Sequence, residues 1–212
     1  MARRGTFITL EGGEGTGKST QINLLSQRLA EADIDHILTR EPGGTSGAEA
    51  IRDLVVTGNI DRWSPKAELL LFTAARLDHL ERVILPALQA GQTVICDRYI
   101  DSSVAYQGVA GGVGAQRVMA LSDLMLPEGW LPDITFILDL DVTVGLARAA
   151  NRGGTETRFE EKGTAFHTQL AQSFRHIAEQ NPERCILVEA TEKPQHVADI
   201  IWQQLAQRMG LV

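Results

Sequence analysis

Apolar residues along this chain follow two alternating spacings. Short, nearly unbroken runs occupy residues 6–10, 36–39, 93–96, 134–138 and 185–188. Runs of that length, rich in β-branched side chains and bounded by turn formers, are the pattern of buried strands. Between them the apolar positions recur every three or four residues, as with Ile22, Leu25, Leu29 and Ala32. This spacing predicts helices over 19–32, 48–56, 65–88, 114–125, 142–151, 164–181 and 194–209. Pro65 suits the first turn of the long third helix and Gly91 its C-terminal cap, and Pro86 is expected to bend its last turn. Strands that are apolar on both faces, separated by helices, predict a doubly wound, five-stranded parallel sheet with helices on both faces. Ligands in such α/β sheets bind beyond the C-terminal ends of the strands. The segments just after the strands therefore carry the interest.

Length and charge narrow this picture. The chain has 212 residues, which suits a single domain over 1–212. Its net charge is −7, so no general nucleic-acid binding is expected, and an anionic ligand would need local cations and amides. No apolar run reaches the ~18 residues of a membrane span. Arg3 and Arg4 are followed by the first strand and so do not read as a signal peptide. Cys96 and Cys185 sit in apolar runs and are expected to be reduced and buried, as in a cytoplasmic protein.

The segment after the first strand reads Gly12-Gly13-Glu14-Gly15-Thr16-Gly17-Lys18-Ser19-Thr20. It matches G-x-x-x-x-G-K-[ST], placed between a predicted strand and a predicted helix. Glycines let successive N–H groups curl around phosphate oxygens, and the helix that follows points its positive end at them. Lys18 then reaches the β- and γ-phosphates of a nucleoside triphosphate, and the Ser19 hydroxyl is placed to ligate Mg²⁺. The glycine positions do not form G-x-G-x-x-G, so a dinucleotide site leaves the lysine unexplained. None of the chain's four lysines follows an asparagine, which removes the N-K-x-D signal of a GTPase. The third strand ends in Asp97-Arg98: a carboxylate placed to hold the metal shell, followed by a cation where a second phosphate would lie.

Four segments, taken together, resemble bacterial thymidylate kinases. They are Gly12 to Thr20; Thr39-Arg40-Glu41-Pro42-Gly43-Gly44-Thr45; Asp97-Arg98-Tyr99-Ile100-Asp101-Ser102-Ser103 with Ala105-Tyr106-Gln107-Gly108; and Arg158-Phe159-Glu160. Their order and spacing match that family along essentially the whole chain. One departure is Thr157, where the family often has an aspartate before the arginine. The resemblance implies a P-loop kinase in which ATP phosphorylates dTMP with Mg²⁺. It also implies roles: Phe72 stacking on the thymine, Arg76 donating to a base carbonyl, and Arg98 holding the dTMP phosphate with Arg52. Ser103 and Gln107 would lie against the base, Tyr106 would close the sugar end, and Glu11 and Asp97 would surround metal and phosphates. The residues support part of this independently, since Phe72 and Arg76 are four apart and share a helix face.

Two further expectations concern the rest of the chain. This P-loop holds no arginine and carries Glu14 instead, so the cation for the transferring phosphoryl group is sought elsewhere. Arg148 and Arg152 are one helical turn apart, Gly153 and Gly154 follow, and a short mobile lid over about 148–162, also containing Arg158, is expected to supply it. Apolar residues on the long helix, among them Leu69, Leu70, Leu71, Leu77 and Leu80, cover more of its circumference than one core contact needs. A homodimer is expected from that excess. Rival readings are a deoxynucleoside kinase, which needs no second phosphate clamp, and a non-catalytic nucleotide sensor, which would not need Lys18, Ser19 and Asp97 all in place.

Overall fold

The computed structural model describes residues 4–152 and 158–211, the side chain of Arg152 excepted. Five strands form one parallel sheet: β1 (Phe7–Gly12), β2 (His36–Arg40), β3 (Thr93–Asp97), β4 (Ile134–Asp139) and β5 (Cys185–Glu189), in the order β2-β3-β1-β4-β5. Register is set by apolar pairs on both sides of β1, Ile8 lying opposite Ile95 of β3 and Ile134 of β4. Alternate strand residues go to opposite faces. Ile8, Leu10, Phe136 and Leu138 pack with Leu25 and Leu29 of α1 (Lys18–Glu31) and Ile201 and Leu205 of α9 (Pro194–Met209). Phe7, Val94, Cys96 and Ile137 pack on the other face, where Leu170 and Phe174 of α8 (Thr164–Gln180) close the core. Strands buried on both faces carry the unbroken apolar runs seen in the sequence. Both cysteines are unpaired and buried. Among the described residues no helix is long and apolar enough to cross a membrane.

The remaining helices are α2 (Ser46–Val56), α3 (Pro65–His79), α4 (Leu85–Gln89), α5 (Ile100–Ser103), α6 (Ala115–Met125) and α7 (Val142–Arg152). Two start with side-chain caps, Thr45 accepting from Ala48 N–H and Ser64 from Ala67 N–H. The single helix expected over 65–88 is divided. A π-helical turn, Leu80–Ile84, links α3 to α4. The imino nitrogen of Pro86 cannot donate and its ring would crowd the carbonyl four residues back. The wider turn, in which Leu85 N–H reaches Leu80 O, carries the chain past that point without a break.

Another helical stretch was not foreseen as an element. After β3, α5 runs directly into a π-helix, Val104–Ala110. Val104, Gly108 and Val109 weaken a helical reading of this stretch. Tertiary burial decides it instead, because Val104, Ala105, Tyr106 and Gln107 are all enclosed. This element brings Ser103, Tyr106 and Gln107 to the C-terminal edge of the sheet.

Candidate active site

A cleft of about 1040 Å³ lies along the C-terminal ends of β1, β2 and β3. One end is lined by Gly15 to Thr20, the other by Phe72, Arg76, Ser103 and Gln107. Arg52, Arg98 and Arg148 also line it, together with acids such as Glu14, Glu41 and Asp97, so cations and carboxylates share the cleft.

The loop after β1 turns at positive-φ glycines and enters α1 at Gly17. Gly12 has φ 132°, and a Cβ there would come within 2.4 Å of Leu138 O. At Gly15 the backbone passes so close to Gly145 of α7 that a side chain on either residue would strike the other segment's carbonyl. That contact seats α7, and with it Arg148, against the loop. Lys18 Nζ donates to Gly12 O at 3.1 Å and Gly13 O at 2.8 Å. Burial and the nearby Arg98 charge bring the Lys18 ammonium down to about 8, opposed by Glu14, Asp97 and Glu11. Ser19 Oγ donates to Asp97 Oδ2 at 3.3 Å, and Asp97 Oδ1 is buried without a partner. A hydroxyl beside a carboxylate with an unused oxygen is a hard-oxygen pair of the kind that suits Mg²⁺. Among the described residues no group of three or more His, Cys, Asp or Glu could hold a metal ion, so substrate oxygens and water would complete such a shell.

Arg98 follows β3 in the left-handed region, at φ 65°. For a residue with a Cβ this costs roughly 1–3 kcal/mol and needs support from its surroundings. Its backbone N–H donates to Leu10 O at 3.0 Å. Its side chain donates to Gly12 O, to Ser102 Oγ and to Glu14 Oε1, at 3.0, 3.2 and 3.0 Å. Tyr106 donates its hydroxyl to the same Glu14 oxygen at 2.6 Å, with its ring beneath the Arg98 guanidinium at 5.1 Å. Burial alone would raise the Glu14 carboxyl, but Arg98, Lys18 and the Tyr106 hydroxyl outweigh it and hold the group at about 2. The acid in the P-loop is therefore an ionised anchor for Arg98 and Tyr106.

At the other end, Arg76 is 2% exposed and almost fully engaged. Nε donates to Glu41 Oε2 at 2.7 Å, and one terminal nitrogen donates to Tyr99 O and Ser103 Oγ, both at 3.0 Å. The other terminal nitrogen, Nη1, is buried with no partner. Phe72, one turn earlier on α3, lines the cleft beside it. Arg52 of α2 donates to Pro42 O at 2.7 Å. Gln107 donates to Glu68 Oε1 at 2.8 Å.

Two expected placements differ. Glu11 does not line the cleft. It is fully buried beneath it, accepting from Tyr99 N–H at 2.7 Å, Ser102 N–H at 3.3 Å and Ser102 Oγ at 2.6 Å. A carboxylate at the end of β1 meets the backbone turn leaving β3 before it can reach a ligand. Burial, then the Asp101 charge, push its carboxyl up to about 7. Arg158 is not a free lid cation. It is 1% exposed, paired with Glu68 at 2.5 Å and bonded to Val55 O, Asn59 O and Ile60 O. Five fixed donors suit such a carbonyl-rich niche. Residues 153–157 and the Arg152 side chain, on which much of the lid expectation falls, lie outside the described residues.

Sequence reading passed over three buried side chains that organise this end: Glu41, Glu68 and His79. Glu68 had a visible signal, since Glu68, Phe72 and Arg76 are spaced by four and form one helical stripe. His79 bridges Thr39 Oγ1 at 2.6 Å and Glu41 Oε1 at 3.3 Å, contacts that no local pattern announces.

A parallel sheet in this strand order, with a phosphate-binding loop after β1 and a carboxylate–arginine pair after β3, defines a P-loop nucleotide phosphotransferase. The thymidylate kinase family model matches residues 10–201. A thymidylate kinase from Caulobacter vibrioides is 51% identical over 208 residues, covering 98% of this chain and 99% of its own. One from Rhodopseudomonas palustris strain CGA009 is 50% identical, covering 97% of this chain and 90% of its own. The crystal structure of thymidylate kinase from Ehrlichia chaffeensis superposes with a TM-score of 0.76 at 34% identity, covering 95% and 99% of the two chains. The chain belongs to the thymidylate kinase family and is a kinase.

Proposed function

We propose that the protein transfers the γ-phosphoryl group of ATP to dTMP, giving ADP and dTDP, and does so with Mg²⁺ in the cytoplasm. The observation that carries the choice of base is the unpartnered Arg76 Nη1, a buried donor beside the Phe72 ring, in the cleft that begins at the phosphate loop. A flat apolar ring beside a donor suits thymine, which offers a π face and the O4 acceptor. A buried donor left without an acceptor costs on the order of 1–3 kcal/mol, so a base that satisfies it is favoured over one that does not.

The loop amides and Lys18 bind the triphosphate, Lys18 meeting charge that grows as the γ-phosphoryl group leaves. Arg98, anchored by Glu14, and Arg52 hold the phosphate of the monophosphate. Ser19 and Asp97 would hold Mg²⁺, which would supply neutralisation of phosphate charge during the transfer. Arg148 and Arg152 on α7 supply the cation for the group in transfer, from a lid segment at about 148–162 that belongs to a single domain over 1–212. Ser103 and Gln107 bound the base, and Tyr106 bounds the sugar. Glu11 acts indirectly, by holding the turn that carries Tyr99 and Ser102. The protein works as a homodimer: Leu70 on α3 and Leu124 on α6 are 59% and 80% exposed, an apolar excess that a second copy would cover. Light scattering tests this by the mass in solution.

An ADP-release assay across dTMP, dUMP, dCMP and thymidine tests the reaction. The expected order is dTMP above dUMP by about 10–200-fold, the worth of one methyl group, with dCMP far below both. Thymidine should not turn over. Equal rates for dTMP and dCMP refute the base site, and turnover of thymidine would favour the deoxynucleoside kinase instead.

A further inference from the structure

Gln107 is an amide at the base end of the cleft, and an amide can present either its oxygen or its NH₂ to a ligand. Its orientation decides which pyrimidine it accepts. An oxygen facing the base accepts from the N3–H of thymine or uracil. An NH₂ facing the base donates to the bare N3 of cytosine. In this structure Gln107 Nε2 is committed to Glu68 Oε1 at 2.8 Å. Both side chains are buried, at 2% and 3% exposure, and Glu68 does not line the cleft.

Glu68 cannot reverse this arrangement. Its second oxygen accepts from Arg158 at 2.5 Å, and the carboxylate so paired has only acceptors to offer Gln107. Arg158 is in turn held by three backbone carbonyls, from Val55, Asn59 and Ile60, so the ion pair has no slack. Donors run from Arg158 to Glu68 and from Gln107 to Glu68, which turns the Gln107 carbonyl branch away from Glu68.

We infer that Glu68, from outside the cleft, is a positioning residue that fixes the hydrogen-bond polarity of Gln107, and through it the selection of an N3–H pyrimidine over cytosine. The inference rests on the dTMP reading above and names what enforces it. The Arg76 Nη1 donor and the Gln107 acceptor then complement O4 and N3–H together, while cytosine opposes both.

The substitution Glu68→Gln tests this with a predicted sign. Arg158 can only donate, so the new amide must turn its oxygen to Arg158 and its NH₂ to Gln107. Gln107 must then accept, which swings its own NH₂ away from the new amide and inverts the polarity offered to the base. The ratio of kcat/KM for dTMP to that for dCMP should fall at least tenfold, with the dCMP value rising in absolute terms. A residue that merely supports the fold would lower both values together and leave the ratio unchanged; that outcome overturns the inference. A parent enzyme that turns over dCMP as fast as dTMP overturns the substrate reading and the inference with it. Should E68Q fail to fold because it leaves Arg158 without a counter-charge, the double variant E68Q/R158Q removes both charges. Its ratio should still fall below that of the parent, because neither partner then dictates the Gln107 orientation; a ratio equal to that of the parent overturns the inference.

Discussion

The end of the cleft that we assign to phosphate is built around one continuous stretch, Gly12 to Thr20, while the end that we assign to the base draws on Glu41, Glu68, Phe72, Arg76, Ser103, Gln107 and Arg158. In that assignment the first end works mainly through backbone: glycine dihedrals, loop amides and a helix N-terminus, with Lys18 as its principal side chain. The second works through side chains whose orientation is set by buried ion pairs, Arg76 with Glu41 and Arg158 with Glu68. Backbone recognition of phosphate serves any nucleotide, because all share the same phosphate chain. Discrimination among bases requires donors and acceptors in fixed positions, and a guanidinium or amide is fixed only when its other atoms are occupied. The two ends should therefore fail differently when perturbed.

The largest separation is expected from Lys18→Ala. Loss of the cation facing the transferring group should lower kcat by about 10²–10³-fold or more, while the dTMP/dUMP ratio stays as in the parent. Steady-state kinetics on both substrates would read it, and kcat surviving within about tenfold would contradict the role given to Lys18. The α7 arginines come next. Arg152→Ala should lower kcat by at least ~100-fold and Arg148→Ala in the same direction, each with a modest change in KM for dTMP. Unchanged kcat in both variants would leave the phosphoryl group to Lys18 and Mg²⁺ alone.

The smallest effect concerns the junction of the two ends, where Glu11 holds the turn after β3. Its carboxyl is raised by burial to about 7 from 4.5. A raised carboxyl binds its proton more tightly in the folded state, so its contribution to stability is complete below about pH 4.5 and is lost as the pH rises through about 7. Urea unfolding of the parent should therefore lose on the order of 1–3 kcal/mol between pH 5 and pH 8 relative to Glu11→Gln, which has no such proton to release. Parallel pH profiles for the two proteins would show that the Glu11 carboxyl is ionised throughout.

How much of this was readable beforehand follows the same division. The G-x-x-x-x-G-K-S loop was legible because its chemistry depends on residues adjacent in sequence. Phe72 and Arg76 were legible as a pair because a helix turns adjacency into a spacing of four, and Glu68 stood one further step along that stripe. Glu11 was misplaced into the ligand shell because an acid beside a phosphate loop looks the same in sequence whether it faces the cleft or the turn beneath it. Arg158 was grouped with the lid arginines because charge and neighbourhood in sequence carry no sign of burial.

The chain's own pattern thus determined the parallel sheet, the two-sided core and the phosphate loop, since each rests on periodicity or contiguity. Local propensity did not determine the α5–π-helical element, whose Val104 and Gly108 take helical form because the surrounding core encloses them. Nor could it determine which of the many arginines bind ligand and which bind protein. That assignment depends on where each carboxylate lies after folding: Glu41 leaves one Arg76 nitrogen without a hydrogen-bond partner, whereas Glu68 and three carbonyls close around Arg158. The desolvation that makes such pairings binding exists only once the surrounding helices are packed, which is why the proposed base site is a property of the tertiary structure.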